Sequence, residues 1–342
     1  MFRDKNILVT GGAGSVGRMI VRELLKRDPK VIRILDIDET RESFIQNKLK
    51  QYNNIRFLIG DIRDKDRLLR AMEDIDIVFH TASYKHVLSC EYNPFEAIKT
   101  NVIGTQNLID AAIAANVEKF VFTSSDKAVN PTNVMGTTKL LSEKLVTAAN
   151  SYKGPKKTVF FSVRFGNVLG SRGSVVHLFK EQIQKNQAIT ITDPQMTRFV
   201  MSLSQAINLL FKSMKLAQGG EVFIFKMPSV KLIDLCEVMI ECTPCLLDDK
   251  AALATTKIIG KKPGEKLYEE LLTQSEAAHS LETNDMYIVL PEISENSADA
   301  SLYPKAKPAK LAICTSNDEH LLSKEEIKQL LYDCKVLEKA NN

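Results

Sequence analysis

A chain of 342 residues, 44% of them hydrophobic, is long enough for one large domain or two coupled ones and can bury a sizeable core. Its 46 Lys and Arg against 42 Asp and Glu leave a net charge of +4, with the basic residues scattered. That balance argues against a nucleic-acid partner and suits an anionic small molecule. No apolar run approaches the roughly 20 residues that a membrane-spanning helix needs. The start MFRDKNILVTGG runs directly into a strand and a turn, so neither a signal peptide nor a membrane segment is expected. The six dispersed cysteines read as reduced thiols, which makes a cytoplasmic protein the expectation. Cys242 and Cys245 form a C-x-x-C, but with no second pair and no His nearby they read as buried thiols, and no metal site is expected.

In chain order, apolar runs predict strands at Asn6–Thr10, Val31–Asp36, Ile55–Gly60, Ile75–His80, Phe120–Ser124 and Thr158–Phe165. Segments with apolar residues three or four apart predict helices at Val16–Arg27, Asp64–Met72, Pro94–Asn116 and Val134–Ser151. Such alternation implies a parallel sheet with helices on both faces, a Rossmann-type doubly wound α/β fold. Beyond residue 166 the alternation weakens. Helices are predicted at Val175–Lys185, Ser204–Gln218 and Leu232–Glu241, and GEKLYEELL (264–272) is expected to open another. The expected organisation is a dinucleotide-binding domain over 1–165, completed by helices returning from the C-terminal half. A smaller C-terminal substrate-binding lobe covers 166–292, and 293–342 is a surface-wrapping tail closed by a helix at Ser323–Lys339.

Gly11, Gly14 and Gly17 form G-x-x-G-x-x-G after the first strand and at the opening of a helix. The glycines permit a tight turn and close approach of a pyrophosphate, and the helix N-terminus supplies partial positive charge. Asp36 ends the second strand, where a carboxylate accepts hydrogen bonds from the adenosine ribose and repels a 2′-phosphate. NAD is therefore the expected cofactor, with NADP as the alternative because Arg33 and Arg41 are close in sequence. Asp61 in GDIRD is placed either to meet the adenine amino group or to cap the next helix. Asp126 and Lys127 follow FVFTSS at the carboxyl end of a strand, where open α/β sheets bind ligands. Lys139 shares a helix face with Met135, four residues before it, so a Tyr-x-x-x-Lys register carries a residue that cannot take a proton.

In that register several blocks resemble the extended short-chain dehydrogenase/reductases: TSSDKAVNPTNVMGTTK (123–139), AxYKHV (82–87), EAIKTNVIGT (96–105), RFGNVLGSRGSV (164–175), TDPQMTRFVM (192–201) and PGEKLYEELL (263–272). Within that group they are similar to the UDP-N-acetylglucosamine 4,6-dehydratases of polysaccharide biosynthesis, including CapD-like proteins. The resemblance covers roughly residues 4–275. NPTNVMG and PGEKLYEELL look like the C5-retaining members, which makes retention the expectation, whereas SCEYNP (89–94) and the short length look like the inverting ones.

The resemblance implies an internally redox-neutral reaction on UDP-N-acetylglucosamine. The nicotinamide takes a hydride from C4, water leaves across C5 and C6, and the hydride returns to C6. A partly neutral Lys127 would then be the base at C5 and a protonated Asp126 the acid at the C6 hydroxyl, with the C4 proton passing to Ser125, Asp126 or water. Lys139 keeps its ribose-holding and electrostatic roles. Further cofactor contacts are expected at Ser15, Val16, Ile62, Thr81, Ala82, Lys85 and Asn101, and substrate contacts at Lys85, His86, Asn167, Arg172, Arg198 and Glu265. A homo-oligomer, a dimer or larger, is a family-level expectation. A 4-epimerase and a non-catalytic dinucleotide-binding protein remain as alternatives. The first normally uses the tyrosine missing here, and the second has no need of Asp126, Lys127 and Lys139.

Overall fold

The computed structural model describes residues 1–242, 255–292, 300–303, 305–310 and 313–337. Cys245 lies outside the described residues. The first half alternates β1 (Asn6–Thr10), α1 (Ser15–Leu25), β2 (Val31–Asp36), α2 (Glu39–Leu49), β3 (Ile55–Ile59), α3 (Lys65–Met72) and β4 (Ile77–His80). It continues through α4 (Val87–Tyr92), α5 (Pro94–Ala97), a π-helical turn (Ile98–Ile103), α6 (Gly104–Ala115), β5 (Lys119–Thr123), a 3₁₀ turn (Asp126–Ala128), α7 (Val134–Tyr152) and β6 (Val159–Arg164). The second half runs β7 (Asn167–Val168), α8 (Val175–Gln184), β8 (Ile189–Ile191), β9 (Thr197–Met201), α9 (Leu203–Leu216), β10 (Val222–Phe225), β11 (Ser229–Lys231) and α10 (Leu232–Glu241). It ends with β12 (Thr256–Ile258), β13 (Glu270–Leu272), α11 (Gln274–Ala278), β14 (Ser280–Glu282), β15 (Met286–Val289), β16 (Lys307–Pro308), β17 (Cys314–Thr315) and α12 (Lys324–Asp333).

One sheet organises the molecule, in the order β3-β2-β1-β4-β5-β6-β10-β15-β14-β16. The strands from β3 to β10 are parallel, and the last three turn antiparallel. Alternating residues explain why it is covered on both sides. Ile7 and Val9 face a core shared with α1 and α9, whereas Leu8 faces another built from α3, α6 and α7. Strand order reverses between β1 and β4, and ligands bind beyond the carboxyl ends of strands at such a point. The glycine turn and Asp126 both stand at that edge.

A separate apolar core joins α8, α10 and α12 to β8 and β9. The later chain also extends the main sheet with β10, β15, β14 and β16, so strands as well as helices return to it.

Several expectations are corrected. The single helix over 94–116 is broken by the π turn, which places the buried Asn101 at an irregular point of the backbone. Residues 264–272 do not open a helix. Gly264 adopts φ +77°, and Glu270–Leu272 instead pair with Cys314–Thr315 as a two-stranded ladder. The region 293–320 is therefore not only a surface wrap. Cys314 is buried, and Lys307–Pro308 extend the main sheet. Helices α2 and α4 were not anticipated. The terminal helix is shorter than expected, with Ser323 and Glu326 forming a reciprocal cap at its start.

Candidate active site

The glycine turn is shaped for close approach. Gly11 has φ +65°, and a Cβ there would meet the backbone N of Ala82 at 2.7 Å and the hydroxyl of Thr81 at 2.9 Å. A Cβ at Gly17 would run into the Gly11 carbonyl, so α1 packs flush against the turn. Gly14 is the N-cap of α1 and offers no side-chain cap, which leaves the first N–H groups, including those of Ser15 and Val16, for a ligand. Asp36 accepts hydrogen bonds from the backbone N–H groups of Ala13 (2.9 Å) and Asp38 (3.1 Å).

Cations gather at the same end. The loop after β7 lies on the start of α1: the Arg172 N–H donates to Ser15 Oγ at 3.0 Å, and Lys85 Nζ donates to the Arg172 carbonyl at 2.5 Å. Gly173 has φ +72°, and a Cβ there would meet the His86 ring at 2.8 Å. Burial, then the charges of Arg172 and Arg41, hold the Lys85 pKa below its ordinary value. Burial and then Lys85 lower that of His86. Burial and then Arg22, Arg172 and Arg41 act likewise on Arg18. Mutual repulsion among Arg18, Arg41, Lys85 and Arg172 is relieved by an anion, and a pyrophosphate has the right charge.

Asp61 does not cap α3. Asp64 does, accepting from the Arg67 N–H at 3.0 Å. Asp61 is instead held by Arg63, through Nε at 2.7 Å, Nη2 at 2.6 Å and the backbone N–H at 2.9 Å. Burial opposes its ionisation, but these bonds win and keep its pKa below the ordinary value. Ile62 is buried beside Gly104, where a Cβ would meet its side chain at 2.7 Å.

Behind the turn runs a buried polar chain. His80 bonds Thr10 Oγ1 (2.8 Å) and Thr105 Oγ1 (3.0 Å), and Thr105 donates to the Asn101 carbonyl (2.5 Å). Asn101 in turn donates to Thr138 Oγ1 (2.9 Å) and receives the Tyr84 N–H (2.8 Å). Asn101 is thus a brace between the loop after β4 and α7. Burial, with the charge of Lys139, pushes His80 down to about 3, so this imidazole is neutral.

The proton-carrying groups converge beyond β5. Ser125 Oγ donates to Asp126 Oδ1 at 2.8 Å, and Lys127 Nζ to the same oxygen at 3.1 Å. Asp126 is fully buried, and its Oδ2 has no hydrogen-bond partner. A Cβ on Gly136 would overlap the Lys127 carbonyl, so a glycine lets α7 press against this turn. Lys139 Nζ donates to the Thr123 carbonyl at 3.0 Å and lies 4.6 Å from the centre of the Phe122 ring. Burial outweighs the neighbouring Glu143 and Cys90 and brings Lys139 down to about 8. Met135 is buried with Cys90 and Ala97 and packs as an apolar residue.

One member of this group was missed in the sequence. Glu269, buried, lies with Oε1 3.1 Å from Lys127 Nζ and 3.7 Å from Arg198 Nε. It sits in PGEKLYEELL, where an expected helix drew attention away from a buried acid. Lys127 is consequently not the partly neutral amine expected. Burial disfavours its charge, but Asp126 and Glu269 outweigh burial and Arg198, and its pKa lies above the ordinary value.

The remaining candidates are spread over the lobe. Asn167 pairs in register with Val200 between β7 and β9. The buried Arg198 spends its guanidinium on the carbonyls of Thr197 (2.7 Å), Leu267 (3.2 Å) and Lys266 (2.9 Å), which anchors residues 266–269. Glu265 accepts from the Lys262 N–H at 3.0 Å within its own turn. Among the described residues no group of three or more His, Cys, Asp or Glu is placed to hold a metal, and no helix is long and apolar enough to cross a membrane.

The family model described as "Polysaccharide biosynthesis protein" matches residues 7–291. An uncharacterized membrane protein of Methanocaldococcus jannaschii is 52% identical, covering 98% of each chain. An inverting UDP-N-acetylglucosamine 4,6-dehydratase of Campylobacter jejuni is 43% identical over 86% of this chain and 85% of its own. A UDP-glucose 4-epimerase of Rickettsia bellii is 38% identical over 97% and 96%. Among solved structures, Pen from Bacillus thuringiensis superposes with a TM-score of 0.91 at 48% identity, covering 98% of this chain and all of that one. A dTDP-glucose 4,6-dehydratase from Streptomyces venezuelae with NAD bound shares the fold, with a TM-score of 0.68 at 20% identity over 77% and 86%.

Proposed function

Because the chain belongs to the polysaccharide biosynthesis protein family, whose relatives here are nucleotide-sugar dehydratases and epimerases, we propose that it is a UDP-N-acetylglucosamine 4,6-dehydratase using NAD. The observation that carries this reading is the buried Asp126–Lys127 pair at the carboxyl end of β5, with a free carboxylate oxygen on Asp126 and a methionine in place of the usual proton carrier. An epimerase has no water to expel and no use for such a pair. The relative named UDP-glucose 4-epimerase makes epimerisation the competing outcome.

The turn at Gly11–Gly17, Asp36 and the surrounding cations fit a nicotinamide dinucleotide. The cofactor supplies the oxidation at C4 and the reduction at C6. The chain's own residues manage the protons. Lys127 enters as an ammonium, so it must first pass a proton to Asp126 Oδ1, 3.1 Å away. That transfer converts ammonium and carboxylate into a neutral amine and a carboxylic acid. The amine removes the C5 proton, made acidic by the C4 ketone, and the acid protonates the departing C6 hydroxyl. On oxidation the C4 hydroxyl releases one proton, and C5 takes one back when the hydride adds to C6. These two cancel, so over the whole cycle both groups are restored and one water leaves. Ser125, bonded to Asp126, keeps that carboxyl oriented, and Lys139 holds the nicotinamide ribose.

The C5 outcome is where two lines of support diverge. NPTNVMG and PGEKLYEELL resemble the retaining members, whereas the Campylobacter relative is named as inverting and matches 86% of this chain. We take inversion as the first reading on that coverage and retention as the second. Incubation of the purified protein with UDP-N-acetylglucosamine, followed by proton NMR, tests the activity. A new 6-methyl signal supports dehydration, a galacto pattern supports epimerisation, and unchanged substrate refutes both.

A further inference from the structure

We propose that Glu269 is a positioning residue of the dehydration, holding the Lys127 ammonium from the second half of the chain and so keeping the shared proton on the Asp126–Lys127 pair. This rests on the reading of that pair as the acid and base of the elimination.

Three observations carry it. First, Lys127 Nζ is 3.1 Å from Glu269 Oε1 and 3.1 Å from Asp126 Oδ1, so two carboxylates share one ammonium. Second, Glu269 is held rigidly. Its N–H donates to Ser316 Oγ at 3.0 Å, its carbonyl receives the Ser316 N–H at 2.9 Å, and β13 follows at once. Arg198 fixes the carbonyls of Lys266 and Leu267 just before it, and Lys266 Nζ donates to the Val129 carbonyl at 3.0 Å, tying this segment to the turn that bears Lys127. Third, Glu269 Oε2 is buried without a hydrogen-bond partner, as is Asp126 Oδ2. A buried carboxylate oxygen lacking a donor is costly. Two of them beside one ammonium mark a place that substrate hydroxyls complete.

The charged groups facing Lys127 are Asp126 on its own turn, Glu269 before β13 and Arg198 on β9. With Asp126 and Glu269 ionised and both cations charged, the set is formally neutral. Removing the Glu269 carboxylate leaves an excess positive charge next to Lys127. The pair then loses its proton more easily, and with it the acid needed at the C6 hydroxyl. Glu269 itself gains and loses no proton in the cycle, so the balance of the elimination is unchanged.

The test compares the full-length protein with Glu269→Gln and Glu269→Asp, following 6-methyl formation from UDP-N-acetylglucosamine against pH, with NAD binding as the control for folding. Glu269→Gln is expected to lower the rate about 10- to 100-fold and to move the alkaline limb of the profile down by about one pH unit or more. Glu269→Asp is expected to keep the limb in place at a reduced rate. A slower Gln variant with an unmoved limb means a merely structural role and overturns the proposal, as does a Gln variant of native rate. Should the Gln variant fail to bind NAD, the Asp variant decides: a shifted limb overturns the proposal and an unshifted one supports it. Wild-type protein that forms no 6-methyl product would refute the dehydratase reading itself, an outcome distinct from these.

Discussion

Asp36 Oδ2 accepts the backbone N–H of Ala13 at 2.9 Å, which ties the end of the second strand to the glycine turn. The carboxylate therefore orders the turn, and on the proposed reading it also meets the adenosine ribose. A 2′-phosphate brought to the same place would face its negative charge.

NAD should accordingly bind the native protein more tightly than NADP. Asp36→Asn keeps an acceptor for the Ala13 N–H and removes the charge, so it should narrow the preference by about tenfold or more, mainly by admitting NADP. Fluorescence titration of both cofactors measures this. Tighter NADP binding to the native protein would overturn the assignment of Asp36.

Asp126→Asn and Lys127→Ala should each lower dehydration by about 10²–10⁴-fold while NAD binding survives, because in the proposed mechanism both groups act after the dinucleotide is seated. Gly136→Ala should do similar damage by a different route, since its methyl would overlap the Lys127 carbonyl and push the turn out of place. Activity above about a tenth of native in either acid–base variant contradicts the assignment.

Glu42 gives a prediction about stability and pH. It is buried on α2 with Oε1 unpartnered, and burial followed by the charge of Asp36 raises its carboxyl to about 7 from an ordinary 4.5. Below about pH 4.5 the group is protonated whether the chain is folded or not, and it leaves stability unchanged. Between about 4.5 and 7 the unfolded chain ionises first, so stability falls as pH rises, and above about 7 the loss is complete. Glu42→Gln should thus raise the melting temperature at pH 8, by roughly 1–4 °C, and leave it unchanged near pH 4. Equal shifts at both pH values would show that the charge is not the cause.

The parallel strands were legible because most are short apolar runs buried on both faces, and the glycine turn because its spacing serves one backbone shape. Helix α2 was not, since only Glu42 and Ile45 of its residues are buried and no apolar stripe marks it. The π turn was hidden because one extra residue in a helical turn leaves the composition unchanged. Glu269 was hidden for a different reason. Local spacing in KLYEELL favours a helix, but the segment is fixed by pairing with residues 314–315 and by Arg198, partners more than 40 residues away that no local period reports. The charge state of Lys127 went with it, because the second carboxylate comes from that segment.

The last prediction concerns C5. Once its proton has left, the carbanion is planar through conjugation with the C4 ketone, and its new configuration depends on which face is reprotonated. If Lys127 both removes and returns the proton, the configuration is kept. Inversion needs delivery to the opposite face. The proposed site holds more than one proton-carrying group, with Ser125 and Asp126 beside Lys127, so delivery is not restricted to the lysine. Reaction in D₂O labels C5 with solvent deuterium in either case, and the H1–H2 and H2–H3 coupling constants of the 4-keto product, which follow the chair the ring adopts, report the configuration. The L-arabino 4-keto sugar should form early and in parallel with water loss. A D-xylo product that persists while substrate is consumed would establish retention and return the chain to the group that NPTNVMG resembles.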